Sequence, residues 1–278
     1  MTSRFLTTQT RHGQMVVLAK DIYIGRSLIE YGEWTESEIQ LLSQLIKPGD
    51  NVIDAGANIG AHTLAFAARV AARDSSRAGE VFAYEPQPQI FQLLATNCVL
   101  NDVHNVRLFN EGCGSQRGEI EIGEPDYAGT QNFGGLSLGM LANQQAASRR
   151  RKVQVRPLDE TYDRESLALI KIDVEGMERD VLAGASGIIA RFRPALYVEN
   201  DVCARSPGLI QAIWDMNYDA WWHFSPLFMP TNFRGRTDNV FGEVICLNMV
   251  CLPREAAKPV RGLMPVKDAN AHPMKPQS

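Results

Sequence analysis

Two kinds of residue in this chain have the type and spacing to do chemistry: glycines in a turn that opens a helix, and carboxylates at the ends of apolar runs. The turn is Asp54-Ala55-Gly56-Ala57-Asn58-Ile59-Gly60. Gly56 and Gly60 can adopt dihedrals barred to other residues, and Asn58 is the next best residue for a left-handed conformation. The backbone there can approach a ligand closely while the N–H groups of the following helix face it. Such a turn also has purely structural uses, so alone it does not decide. Glu85 ends the second apolar run, just before Pro86. In a doubly wound sheet that position lies beside the first turn, where a carboxylate can accept both hydrogen bonds of a ribose diol. A solvated carboxylate at a helix start is the rival, and the pairing with the turn points instead to an adenosine-type cofactor. The third feature is Leu169-Ile170-Lys171-Ile172-Asp173-Val174-Glu175-Gly176, an apolar strand that delivers carboxylates to its carboxyl end, where ligands of open α/β sheets bind. Capping of the next helix is the structural alternative. Glu199-Asn200-Asp201 closes a further strand in the same way, so several acidic groups converge on one rim.

The elements that must position these residues alternate, short β-rich runs with longer helical patterns, which predicts a parallel sheet covered by helices. Strands are expected at 51–55, 81–85, 106–110, 119–123, 153–156, 167–172, 195–199, 218–224 and 244–252. Helices are expected at about 59–73, from Pro86 and Pro88 to about 101, at 176–189 and at 207–216. The first ends at the polar run Asp74-Ser75-Ser76-Arg77. Proline is tolerated in a first helical turn, where its missing N–H is not needed. Two stretches, from Gly123 to about 148 and 225–239, read as long loops, which in a compact domain are functional or disordered. The fold class is α/β, with an N-terminal extension at 1–48 (hairpin plus helix), a main domain at 49–252, and a Pro-rich loose tail at 253–278.

Composition excludes other classes. With 278 residues, 45% hydrophobic and 22% charged, the chain is an ordinary globular protein rather than a collagen, a coiled-coil rod or a disordered polymer. A net charge of −4 supplies no global drive toward nucleic acid or an anionic membrane. The basic run Arg149-Arg150-Arg151-Lys152 reads as a solvated segment end. No window approaches the roughly 18 apolar residues of a membrane helix, and residues 1–20 do not read as a signal peptide. Cys98, Cys113, Cys203, Cys246 and Cys251 form no CxxC pair and read as free thiols of a reducing, cytoplasmic compartment.

The run Val52-Ile53-Asp54-Ala55-Gly56-Ala57-Asn58-Ile59-Gly60-Ala61-His62-Thr63, with Tyr84-Glu85-Pro86 and Ile172-Asp173-Val174-Glu175-Gly176-Met177-Glu178, resembles the FkbM-type S-adenosylmethionine-dependent methyltransferases over about 32–253. The resemblance implies the class I methyltransferase fold, a doubly wound, Rossmann-like sheet of seven strands with the last antiparallel. It also implies S-adenosyl-L-methionine as cofactor, with Gly56 and its neighbours (Asp54, Ala57, Asn58, Gly60, His62, Thr63) under the methionine part. Glu85, with Pro86, would hold the ribose hydroxyls, and Glu111, Gly112 and Cys113 would flank the adenine. Asp173 would lie near the methionine end and the substrate. The family pattern points to O-methylation of a hydroxyl on a sugar or secondary metabolite, with N-methylation or a cofactor-binding module without catalysis as alternatives.

Methyl transfer needs an aligned nucleophile and, for an alcohol, a proton acceptor. Candidates are Asp173, Glu175, Glu199 and His223, the carboxylates ranked first. An oxygen-rich divalent-metal site from Asp173, Glu199 and Asn200 is conceivable, but neither spacing nor resemblance asks for one, and no metal is expected. Trp214, Trp221 and Trp222 are candidates to stack on a sugar or aromatic acceptor, and residues 132–137 and 225–240 to cover the site. A nicotinamide dehydrogenase is disfavoured because Asn58 replaces the glycine that admits a pyrophosphate. The expected partner is a small-molecule or glycan acceptor, with neither nucleic acid nor membrane.

Overall fold

The computed structural model describes residues 3–72, 79–144, 149–256 and 260–274; the expected polar helix end at 74–77 lies outside them. The chain opens with a hairpin, β1 (Phe5–Thr10) and β2 (Gly13–Leu18), followed by α1 (Ile24–Glu30) and α2 (Glu36–Leu42). Then come β3 (Val52–Ala55), α3 (Ala61–Val70), β4 (Val81–Tyr84), α4 (Pro88–Leu100) and β5 (Val106–Phe109). A smaller unit follows, of β6 (Glu111–Cys113), β7 (Gly118–Gly123), α5 (Leu138–Ala142) and β8 (Arg150–Arg156). The main alternation resumes with α6 (Leu158–Thr161), β9 (Leu169–Ile172), α7 (Glu178–Gly184), α8 (Ser186–Phe192), β10 (Ala195–Glu199), α9 (Ser206–Asp215), β11 (Tyr218–Pro226), β12 (Ile245–Pro253) and β13 (Met264–Pro265).

Strands β3, β4 and β9 are buried at every residue, which is why they read as near-continuous apolar runs, interrupted only by Asp54 and Lys171, rather than alternating ones. In α4, Pro88 sits in the first turn, and Ile90, Leu93, Leu94, Asn97 and Cys98 mark one buried stripe at helical spacing. Asn97 on that stripe bonds Val16 in both directions and donates to the Ile59 carbonyl, tying the N-terminal hairpin to the α3 side of the core. One core layer lies between the sheet and α7–α9; the other is closed by α2, α3, α4 and the hairpin.

The main sheet runs β13-β11-β12-β10-β9-β3-β4-β5. From β10 to β5 neighbours are parallel, and β12 is antiparallel to both β10 and β11. Eight strands therefore replace the expected seven. The extra one comes from the segment expected to be loose: β13 pairs with Trp221 and Trp222 of β11, Val266 N–H donates to the Ala220 carbonyl, and Val266 and His272 are buried. The physical reason is the edge. Without this cover β11 would present unpaired backbone groups along the sheet margin.

A second sheet, β6-β8-β7, accounts for much of the stretch after Phe109. Three residues of the basic run belong to β8, where Arg150, Arg151 and Lys152 face Glu121, Glu124 and Glu119 at 3.2, 2.8 and 2.7 Å. These are cross-strand ion pairs of a sheet. The expected helix at 176–189 is two helices, α7 and α8, that meet at buried Ala185. Among the described residues, no helix is long and apolar enough to cross a membrane.

Candidate functional site

A cavity of about 310 Å³ opens at the carboxyl ends of the parallel strands. Its floor is where β3 and β9, neighbours in the sheet, deliver Gly56 and Asp173 side by side. Gly56 has φ +82°, and a Cβ there would overlap the Asp173 carbonyl oxygen, so only glycine closes this turn. Asn58, at φ +50°, follows in the left-handed region.

Glu85 leaves the end of β4 beside this turn and is buried. Its Oε2 accepts from the Asn58 N–H at 3.1 Å and its Oε1 from the Gln87 N–H at 2.8 Å. Burial pushes the carboxyl from 4.5 up to about 7 even against those two donors. Behind the cavity wall, Asp54 Oδ2 accepts the Thr63 hydroxyl at 2.7 Å, and Gly60 caps α3 at φ +93°. These three expected cofactor residues thus brace the turn instead of lining the cavity.

The remaining expected cofactor residues do line it: Gly56, Ala57 and Asn58 on the turn, then His62, Glu85, Pro86, and β6 with Glu111, Gly112 and Cys113. His62 Nε2 lies 3.2 Å from Glu38 Oε2 of α2. Glu111 is 3.5 Å from Arg156, and burial pushes the Cys113 thiol up, away from reactivity. Residues 132 and 134–136 add to the wall, and Gln87 Nε2 holds that loop through the Phe133 carbonyl at 3.2 Å.

Asp173, Glu175 and Glu199 each bring one carboxylate oxygen to within 4.8 Å of the others, a grouping able to hold a cation. Burial first, then the charges of Asp173, Asp201 and Glu178, push Glu175 up to about 8. Glu199 is driven well above the usual carboxylate range by burial and the same neighbours. Asn200 is not part of this grouping: its amide is buried on Ser206 Oγ at 3.0 Å and faces Met249 Sδ. His223 also stands apart from the cavity lining. Its Nδ1 pairs with the Tyr197 hydroxyl at 2.8 Å, and burial pushes its imidazole down.

Sequence reasoning missed Lys171 and Trp34. Lys171 is the one charged residue in the apolar run of β9, a signal that was visible, because an ammonium is buried only when paired. Trp34 joins Tyr23 and Ile24 at the cavity, whereas Trp221 and Trp222 are buried in β11 and Trp214 packs on the core beneath α9. Nothing local distinguishes these indoles. Leu227 and residues 244–247 also line the cavity.

The family described as Methyltransferase FkbM domain matches residues 54–219. No curated protein sequence matches the chain. Among solved structures, the chain is similar to methyltransferase FkbM from Methylobacillus flagellatus KT, at 16% identity and a TM-score of 0.42 over 72% of this chain and 43% of that one. It thus spans less than half the length of that relative. SMU.1697c from Streptococcus mutans, solved in complex with SAH, is 12% identical over 78% of this chain and 96% of its own, with a TM-score of 0.42. Trm5b from Pyrococcus abyssi is 10% identical over 91% of this chain and 56% of its own, with a TM-score of 0.48.

Proposed function

Because the chain belongs to the FkbM methyltransferase family, we propose that it methylates a hydroxyl group of a small sugar-like or secondary-metabolite acceptor, using S-adenosylmethionine. The cofactor supplies a methyl group on a sulfonium, activated for in-line displacement. This chain's residues fit it: a turn too tight for any side chain at Gly56, and a buried carboxylate, Glu85, already held by two backbone N–H groups. Residues 56–58 would hold the methionine part, Glu85 the ribose hydroxyls, and the β6 residues Glu111, Gly112 and Cys113 the adenine. Asp54 and Thr63 keep that turn in place from behind.

One observation carries the acceptor reading. The cavity lining extends beyond the family match: Tyr23, Ile24 and Trp34 come before it, Leu227 and 244–247 after it. These added residues are mostly apolar and aromatic, and Glu175 lines the same cavity within reach of Asp173. A carboxylate raised to about 8 is matched to take a proton from an alcohol near neutral pH, which an ordinary carboxylate is not. Apolar walls fit the body of a small organic acceptor, and a lining on which carboxylates outnumber cations disfavours a polyanion. Five free cysteines support a reducing, cytoplasmic setting.

The test is methyl transfer from labelled S-adenosylmethionine to panels of glycans and small polyketides, of amines, and of tRNA. Transfer to a hydroxyl of the first panel is the expected result. Transfer only to amines would overturn the hydroxyl reading, and transfer to tRNA would overturn the small-acceptor reading.

A further inference from the structure

Lys171 is buried at 2% exposure in the middle of the sheet, two residues ahead of Asp173 on the same face of β9. Its ammonium stands 3.4 Å from Asp54 Oδ1 and 3.3 Å from Asp173 Oδ2, and donates to the Gly56 carbonyl at 3.4 Å. It therefore touches both strand ends that make the cavity floor and the turn between β3 and α3. Burial alone would depress an ammonium, but Asp173, Asp54 and Glu38 outweigh it and hold the group above its usual range, a permanent cation. Asp54 is fully buried and Asp173 about one-third exposed toward the cavity, so the lysine links an interior carboxylate to one that faces the ligand space.

Resting on the cofactor placement proposed above, we infer that Lys171 is a positioning residue: it fixes the Asp173 carboxylate and the Gly56 carbonyl in the arrangement that receives the methionine end of S-adenosylmethionine. A purely structural lysine would only balance the charge of Asp54. The geometry asks for more, because among the described residues Asp173 pairs with no second cation, and Gly56 N–H is held from the other side by the Tyr84 carbonyl at 3.0 Å, leaving its carbonyl to Lys171. Without the ammonium, two carboxylates from adjacent strands lie beside that turn with no cation between them, and Asp173 loses the partner that fixes it.

The test compares ligands that differ only at the methionine end. Adenosine, S-adenosylhomocysteine and S-adenosylmethionine are titrated calorimetrically into the wild type, Lys171→Met, and the double variant Lys171→Met with Asp54→Asn. In the double variant the buried charge is cut at both ends, while the carboxamide introduced by Asp54→Asn can still accept the Thr63 hydroxyl. Lys171→Met is expected to weaken S-adenosylhomocysteine and S-adenosylmethionine at least tenfold and adenosine less than twofold, and the double variant to regain thermal stability without regaining that affinity. If Lys171→Met fails to fold, the double variant carries the same comparison. Parallel loss of all three ligands, unchanged binding, or full recovery in the double variant would each overturn the inference. Failure of the wild type itself to bind S-adenosylhomocysteine would instead overturn the placement on which it rests.

Discussion

Replacing Glu85 by glutamine should stabilise the cofactor-free protein at alkaline pH while abolishing its ability to hold a ribose diol. The carboxyl is buried and its titration is moved from 4.5 to about 7, chiefly by burial. An unfolded chain therefore releases this proton at lower pH than the folded one, so stability falls as pH rises through the window from 4.5 to about 7. At about 1.36 kcal/mol per pH step, the full cost above that window is about 3.4 kcal/mol. Between pH 5 and pH 8 the same linkage gives a change of about 2.5 kcal/mol. Glutamine cannot ionise, but it offers one carbonyl oxygen in place of two, so either the Asn58 or the Gln87 N–H loses its acceptor, a loss of about 1–2 kcal/mol at every pH. The difference between two pH values removes that constant. Urea unfolding of both proteins at pH 5 and pH 8 is the assay, and Glu85→Gln should gain about 2.5 kcal/mol on the wild type between them. Parallel pH dependences would refute the reasoning, since burying the Glu85 carboxylate would then carry no cost in stability. The other raised carboxyls, Glu175 and Glu199, tilt both curves alike.

Gly56→Val should remove S-adenosylhomocysteine binding below detection in calorimetry, because its Cβ has no room beside the Asp173 carbonyl and its φ is positive. For whichever acceptor the transfer screen identifies, turnover should rise with pH through about 8 as Glu175 loses its proton, and Glu175→Gln should flatten that profile and lower turnover by about 10²-fold or more. Trp34→Ala should raise the acceptor KM about tenfold in the transfer assay, since its indole lines the cavity and offers an apolar face to the acceptor. Deleting residues 260–278 should destabilise the protein, seen as a lower melting temperature, by exposing the β11 edge and the face that Val266 and His272 cover.

What the sequence determined by itself is the part of the site made by local geometry. A buried strand reads as an apolar run, and a left-handed turn between it and a helix selects glycine. An acidic residue at the end of the next strand then falls beside that turn by sheet topology alone. Those rules reach Gly56, Asn58, Glu85 and Asp173 without coordinates. Tertiary structure alone decided which of several similar side chains face the cavity. Trp34 lines it and Trp222 is core, Glu175 joins the acidic rim and Asn200 turns inward, His223 is occupied by Tyr197, and Lys171 spans two strands. These outcomes depend on contacts between segments distant along the chain, and periodicity fixes only which face of an element is buried, not what it is buried against. The C-terminal segment shows the same limit. Its prolines and polar residues carry no periodic pattern, yet the unpaired edge of β11 supplies the partner that orders it.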